Sequence, residues 1–273
     1  MKNLRILIIL SLLAFAYQGC AELMNLATQV TQESAGGSTP LSGNEVIEGL
    51  KTALLVGTDT SVSLTSRLNG FYKDEAIKIL LPPEAQKIYA NKDKAIFKAT
   101  GLDKKLEDAV MAINRAAEDA SKEAAPIFKS AITGMSFSDG WAILKGSNPA
   151  AATQSSGFDS TAATGYLKST TYTQLTEAFS PKVNASLDKK LVGNYSPNQI
   201  WGTLTSSYNA VANNSMGFIE PVKTTNLGAY VTEKALDGLF YKVALQEKEI
   251  RRDPLKWAKT AVGNILKRVF GTT

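Results

Sequence analysis

Apolar side chains recur every three or four residues along most of the chain, which is the spacing of one face of an α-helix. The first such run predicts a helix that ends before Asn69, with Gly70 as its cap. Gly57 and Ser61 are small, so we expect a neighbouring helix to approach closely there. The predicted apolar face consists of Ile47, Leu50, Leu54, Gly57, Ser61, Leu64 and Leu68.

A second run predicts the longest helix of the protein, over residues 102–133. Pro126 falls inside this run and lacks a backbone N–H, so it is expected to kink or split the helix. A short helix follows, with Ser138 as its N-cap and Gly146 at its end. The apolar face of the long run is Leu106, Val110, Ile113, Ala117, Ala120, Ala124, Ile127 and Ala131.

Helical spacing continues to the C-terminus, with further helices predicted over 162–179, after Pro181, over 198–212 and over 227–252. A last amphipathic helix is predicted over 255–270, where docking into the core is commoner than binding to anionic lipid. Strand-like alternation is almost absent. The prediction is an all-α, single-domain multi-helix bundle over 43–273, with a long Pro-kinked central helix, no significant sheet and a flexible loop at 147–160.

The N-terminal residues have the pattern of a secretory signal peptide over residues 1–19. Lys2 and Arg5 precede an apolar run of eleven residues, which is too short to span a bilayer. The chain's one cysteine, Cys20, comes four residues after the end of this run and is preceded by Gly19, as in the lipobox of bacterial lipoproteins, and lipidation of Cys20 is predicted. Cleavage after Ala16 is the alternative, and it would leave a soluble periplasmic or secreted protein.

A lipid-anchored tether is predicted between Cys20 and the helical domain, over residues 20–42. Its segment Ser34–Pro40 has the composition of a flexible linker. Ala21 is not the aspartate that retains lipoproteins in the inner membrane of enteric bacteria, so we expect an outer-membrane lipoprotein facing the periplasm. The membrane is then the first predicted partner.

Composition excludes several kinds of chemistry. The chain has no histidine, so histidine-based triads and Cys/His zinc sites are impossible. Without Lys2 and Arg5, 28 basic and 25 acidic residues remain, interspersed along the chain, and no nucleic-acid partner is expected. No phosphate-binding or dinucleotide-binding glycine motif occurs. We expect no metal, no cofactor and no enzymatic activity.

Two acidic pairs, Glu118 with Glu123 and Glu247 with Glu249, are candidates for acid–base chemistry. Residues on one face of a helix lie three or four positions apart, whereas these lie five and two apart. Solvated helix faces are therefore the favoured interpretation of both pairs.

The stretch NRAAEDA offers a candidate polar cluster of Asn114, Arg115 and Glu118. It is either a group that faces a binding groove or, as favoured here, an interhelical network that sets helix register. Arg115 is spaced to pair with Asp119.

The stretch EIRRDP adds Arg251, Arg252 and Asp253 to these candidates. Both arginines are predicted to lie at a helix C-terminus, where positive charge is favourable, and Asp253 to cap the next helix. A pairing of Arg252 with Glu118 is a further hypothesis.

Several stretches together resemble the bacterial family called domain of unknown function 4197, over residues 44–271. The resemblance implies an all-helical envelope protein, often with a signal peptide, and implies no activity. The stretches are GLKTALLVGT, IKILLPPE, NRAAEDA, IFKSAITGMSFSDGWAILKG, YVTEKALDGLF, EIRRDP and the closing VFG.

Two classes of function remain open. The first is a non-catalytic binding or structural module that acts on another envelope protein. The second is a carrier or sensor that encloses an apolar small molecule or lipid between helices, which requires a cavity of a few hundred Å³.

Overall fold

The computed structural model describes residues 42–83, 102–153, 157–190, 194–214, 221–224 and 226–253, together with 86, 93, 98 and 256. Within these residues the protein is built from α-helices and forms no β-strand, which confirms the all-α prediction. The α-helices are α1 (Gly43–Ser66), α2 (Leu102–Ala120), α3 (Ala124–Thr133), α4 (Phe137–Leu144), α5 (Ala162–Leu187), α6 (Pro197–Asn213) and α7 (Leu227–Arg252).

The chain divides into two compact units. Unit 1 comprises residues 1–60, 128–171 and 243–273, and unit 2 comprises residues 61–127 and 172–242. Each unit is described by itself below, and the predicted single domain over 43–273 stays a prediction.

Helix α1 begins with a capping box, in which Ser42 and Glu45 each accept a hydrogen bond from the other's backbone N–H. Its predicted apolar face is confirmed from Ile47 to Ser61, but Leu68 is 73% exposed because the helix ends at Ser66. The residue with positive φ is Asn69, not the predicted Gly70. A Cβ on Gly70 would lie 2.4 Å from the Leu64 carbonyl oxygen, so the turn folds tightly against the end of the helix.

The predicted split near Pro126 is confirmed. A single 3₁₀ turn, Ser121–Glu123, separates α2 from α3, and Pro126 is the third residue of α3. This turn shifts the angular register, since a 3₁₀ turn holds three residues instead of 3.6. The buried side of α3 is consequently Phe128 and Ile132, not the predicted Ile127 and Ala131.

Two predicted helix boundaries are wrong. Ser136, not Ser138, is the N-cap of α4: its hydroxyl accepts from the Asp139 N–H, and the Asp139 carboxylate accepts from the Ser136 N–H. Helix α5 does not end before Pro181 but continues through it. The missing hydrogen bond is tolerated because Pro181 is exposed to solvent. The other side of α5 is fully buried and consists of Leu175, Phe179, Val183 and Leu187.

The last two helices follow their predictions closely. Helix α6 begins at Pro197, and Ser196 and Gln199 form its capping box. One side of helix α7 is buried and consists of Leu227, Val231, Ala235, Leu239, Val243 and Ile250. It ends at Arg252, so Arg251 and Arg252 lie in its last turn as predicted.

The predicted signal peptide, Cys20, the tether up to residue 41 and the helix over 255–270 lie outside the described residues, except for Lys256. Among the helices that are described, none has the length and apolar character needed to cross a bilayer.

Candidate functional site

The most deeply buried ion pair of unit 1 joins Glu247 and Arg251, one turn apart on α7. Their side chains are 4% and 11% exposed, and Arg251 Nη2 lies 2.7 Å from Glu247 Oε1. The same carboxylate accepts hydrogen bonds from the backbone N–H groups of Ala163 and Thr164, at 3.0 and 2.8 Å, and from the Thr164 hydroxyl at 2.7 Å. Glu247 therefore caps the first turn of α5 from another helix.

Arg251 carries the other half of this arrangement. Its Nη2 also donates to the carbonyl oxygen of Ile143, in the last turn of α4, at 3.0 Å. A helix N-terminus presents free N–H groups and partial positive charge, and a C-terminus presents free carbonyls and partial negative charge. The acid thus meets the start of α5 and the base meets the end of α4, so both charges stabilise the fold of unit 1.

Phe158 covers Arg251 in unit 1. Its ring centre lies 5.5 Å from the Arg251 guanidinium carbon, in cation–π geometry. Gly146 lies close to the same ring: it has φ of +72°, and a Cβ there would come within 2.4 Å of Phe158. Phe158 belongs to the stretch 147–160, and the predicted flexibility of that loop stays a prediction.

Next to this pair, unit 1 holds a cavity of about 30 Å³. It is lined by apolar side chains of α1, including Leu50 and Leu54, and by Glu247 and Arg251. A second cavity beside Gly57 measures about 10 Å³. At Gly57, α1 and α7 approach so closely that an added Cβ would lie 3.1 Å from Ile250, which confirms the close helix packing predicted there. Each cavity has room for about one water molecule.

Unit 2 contains a comparable buried carboxylate, Glu118 on α2. Its Oε1 accepts hydrogen bonds from the backbone N–H groups of Phe71 and Tyr72, each at 3.2 Å. Its Oε2 accepts from Arg115 Nη1 at 2.5 Å, and Arg115 Nη2 donates to the Asn69 side chain at 2.8 Å. Arg115 and Glu118 together hold the turn that follows α1.

Asn114 binds the backbone of the non-helical segment around Ile79, which comes after this turn. Its side chain is fully buried, and its amide forms two hydrogen bonds with Ile79, accepting from the N–H and donating to the carbonyl oxygen, both at 2.8 Å. The same Nδ2 also donates to the Val110 carbonyl at 2.7 Å. Asn114 therefore satisfies the backbone of a buried residue that has no strand beside it.

The same device occurs a second time in unit 2. Asn209 on α6 accepts a hydrogen bond from the Val222 N–H at 2.7 Å and donates to the Val222 carbonyl at 3.1 Å. Val222 is buried in a segment without regular structure. In both places the side-chain amide of a helical asparagine forms the two backbone hydrogen bonds that a neighbouring β-strand would otherwise form.

Unit 2 holds an open groove of about 400 Å³. The non-helical segment 76–80 and helix α7 form its walls. Leu80 and Tyr241 are 40% and 45% exposed, and the Tyr230 hydroxyl donates to the Leu80 carbonyl at 3.1 Å. Its lining residues are Ala76, Ile77, Lys78, Ile79, Leu80, Gln86, Tyr230, Lys234, Asp237, Gly238 and Tyr241.

The candidate residues from the sequence fall into separate groups. Asn114, Arg115 and Glu118 act together in unit 2, and their partners belong to the non-helical segment 69–79 instead of a second helix. Arg115 pairs with Glu118 and not with Asp119, which binds Lys122. The network predicted to set helix register thus holds a loop in place.

The candidates at the end of α7 differ from one another. Arg251 is buried in unit 1, whereas Arg252 is exposed and lies 3.7 Å from Glu249 on its own helix. Glu118 pairs with Arg115 inside unit 2, and the pairing of Arg252 with Glu118, which would join residues of two different units, stays a hypothesis. Asp253 accepts from the Lys256 N–H at 3.2 Å, as expected of an N-cap.

The interpretation of Glu118 and Glu247 as members of solvated faces is also wrong, since both are at most 5% exposed. Glu247 lies four residues after Val243 and three before Ile250, on the apolar face of α7. A charge at such a position was the signal for a buried ion pair. Nothing in the local sequence pointed to their partners Thr164 and Phe71.

Within the described ranges, histidine, cysteine, aspartate and glutamate form no group of three or more suited to a metal ion.

The sequence profile of the family described as "Protein of unknown function (DUF4197)" matches residues 40–271. No curated protein and no solved structure matches the chain.

Proposed function

From the premise that the chain belongs to the DUF4197 family, we propose that it is a lipid-anchored protein of the bacterial envelope whose helical body is a non-catalytic structural or binding module. Cys20 carries the lipid, and the body faces the periplasm from the outer membrane. The family description assigns no activity, so the proposal rests on the residues of this chain.

One observation carries the non-catalytic assignment. The buried carboxylates Glu118 and Glu247 each accept hydrogen bonds from two backbone N–H groups and from one arginine. A catalytic acid or base needs a face open to substrate. These side chains are occupied by their own fold, which supports a role in stability.

The envelope assignment is supported by the N-terminal sequence. A basic start, an apolar run of eleven residues and Cys20 follow one another in the order of a lipoprotein precursor. A single cysteine cannot form an intramolecular disulfide and has little use as a free thiol in an oxidising compartment.

Intact-mass and native mass spectrometry of the protein extracted from its own envelope tests this proposal. The expected result is a chain that begins at acylated Cys20 and carries no other bound molecule. A chain that begins at Tyr17 with a free thiol would contradict the anchor. The non-catalytic assignment would be contradicted if the protein turned over a substrate and a folded Glu118→Gln or Glu247→Gln variant did not.

The alternative is a carrier of an apolar small molecule, and the open groove of unit 2 favours it. Its volume of about 400 Å³ falls in the range of ligand sites, whereas the 30 Å³ cavity of unit 1 does not. A small apolar molecule retained in the native mass spectrum, and lost from a Leu80→Asp variant, would support the carrier. A Leu68→Asp variant is the matched control, because Leu68 is exposed and does not line the groove.

A further inference from the structure

Helix α4 of unit 1 presents a line of two aromatic rings and one cation. Phe137, Trp141 and Lys145 follow one another at four-residue intervals on one side of the helix. The rings of Phe137 and Trp141 lie nearly parallel, with centres 6.2 Å apart, and Lys145 Nζ lies 5.5 Å from the centre of the Trp141 ring. These three residues are called the α4 aromatic line below.

The α4 aromatic line is turned outward from unit 1. Phe137 is 52% exposed, Lys145 is exposed and Trp141 is half-buried, while Ile143 on the opposite side of the helix is fully buried. An exposed phenylalanine ring stacked on a half-buried tryptophan beside an exposed lysine is unusual on a surface that meets only water. Tryptophan and phenylalanine favour the boundary between membrane and water, where lysine can reach the lipid phosphates.

The position of this line relative to the tether identifies its partner. Phe137 lies against Gly43, the first residue of α1, such that a Cβ on Gly43 would be 3.3 Å from Phe137 Cζ. The described chain begins one residue earlier, at Ser42. The segment that leads to the proposed lipid anchor therefore joins unit 1 directly beside the exposed ring of Phe137.

The length of that segment keeps the line close to lipid. Cys20 to Leu41 comprises 22 residues, and a flexible chain of this length has an end-to-end distance of about 25 Å. A tether of this kind raises the local concentration of the bound surface to the millimolar range. A surface with only two aromatic side chains and one cation, too weak to bind vesicles from solution, is then sufficient to hold unit 1 on the bilayer.

We propose that the α4 aromatic line rests on the lipid surface to which Cys20 is anchored, with Phe137 and Trp141 inserted at the interface and Lys145 at the phosphates. This inference rests on the proposed lipid anchor. The acidic residues at the start of α1 are expected to repel anionic lipid only weakly, because the Glu45 carboxylate accepts a hydrogen bond from Ser42 and Glu48 lies 3.7 Å from Lys51.

The test uses the full acylated protein in vesicles of phosphatidylethanolamine and phosphatidylglycerol. With Cys20 acylated, the Ser138→Cys substitution supplies one free thiol on α4 for an environment-sensitive dye, since Ser138 is exposed. The dye is expected to shift to shorter wavelength and to be quenched by brominated lipid. Both effects are expected to be lost in the Phe137→Ser, Trp141→Ser double variant. A dye attached to the Ser206→Cys variant, at an exposed position of α6 in unit 2, serves as the matched control.

Each outcome is decisive. An intact mass without acyl chains on Cys20 contradicts the lipid anchor and this inference together. Acylated protein whose dye at position 138 stays unquenched contradicts this inference and leaves the anchor standing. A blue-shifted dye in the Cys20→Ser protein without vesicles would show that another part of the chain covers the rings, which also overturns the inference. Quenching at 138 that requires both rings supports it.

Discussion

Glu247 and Thr164, 83 residues apart in the chain, are joined by two hydrogen bonds from Thr164 to the same carboxylate oxygen, one from its backbone N–H and one from its hydroxyl. The contact places a negative charge on the first turn of α5, where the first four N–H groups of a helix have no partner within the helix. Arg251 balances this charge from the next turn of α7. The stability of unit 1 is therefore expected to depend on Glu247, a charged residue on the apolar face of α7.

Substitution of Glu247 by glutamine is expected to lower the free energy of unfolding by about 3 kcal/mol. The change keeps the shape of the side chain, but it leaves Arg251 buried without its counter-charge and turns an amide donor toward other donors. Urea denaturation followed by circular dichroism measures the loss.

Glu249→Gln, two residues further along α7, is the control for that experiment. Its side chain is more exposed and pairs with Lys256 and Arg252, so a loss below about 1 kcal/mol is expected. Equal losses in the two variants would show that the buried position of Glu247 has no special weight.

The Asn114→Asp variant is expected to lose about 2–3 kcal/mol of unfolding free energy. Aspartate has the same shape but no amide hydrogens, so the carbonyls of Ile79 and Val110 lose their donor and face a carboxylate instead. Chemical denaturation of this variant and of Asn213→Asp, an exposed position of α6, gives the comparison. A loss no greater than that of the control would refute the assigned role of Asn114.

Two glycine-to-alanine substitutions are expected to have opposite effects. At Gly146 the Cβ meets the Phe158 ring and the backbone has φ of +72°, so Gly146→Ala should destabilise unit 1 by more than about 1 kcal/mol. At Gly202, inside α6, nothing lies within 4 Å of the added Cβ, and alanine should stabilise by about 0.5–1 kcal/mol. Thermal denaturation of both variants decides the signs, and a stabilising Gly146→Ala would contradict the packing of Phe158.

High pH is expected to weaken unit 1 through Tyr166. Burial, and secondarily the nearby carboxylate of Asp139, raise the pKa of this phenol above its ordinary value of 10.0. The folded protein then holds the proton more tightly than the unfolded chain does. Stability is unaffected well below pH 10 and falls as the pH rises through about 10, where only the unfolded chain ionises freely.

The melting temperature measured between about pH 9 and pH 11 tests this expectation. Its decline should be less steep in Tyr166→Phe than in the unaltered protein, whereas Tyr195→Phe, at a 57% exposed position, should leave the slope unchanged. An unaltered slope in Tyr166→Phe would contradict the assignment.

Helical spacing predicted the fold class and most element positions because each depends on local pattern. The face of α7 from Leu227 to Ile250 and the split near Pro126 follow from the 3.6-residue period and from the missing N–H of proline. Pro181 is the exception, because proline was expected to end the helix before it. Helix α5 continues through Pro181 because the apolar residues before and after it are buried on the same side of the helix.

The sequence by itself determined that this protein is helical and that it has no histidine or thiol chemistry in its helical body, since composition and periodicity are properties of the chain alone. Only the tertiary structure decided which polar residues are buried and what they bind. Glu118 holds Phe71 and Tyr72, and Asn114 holds Ile79, across 35 to 47 residues of chain. Such contacts arise because a buried N–H or carbonyl must find a partner wherever the folded chain places one.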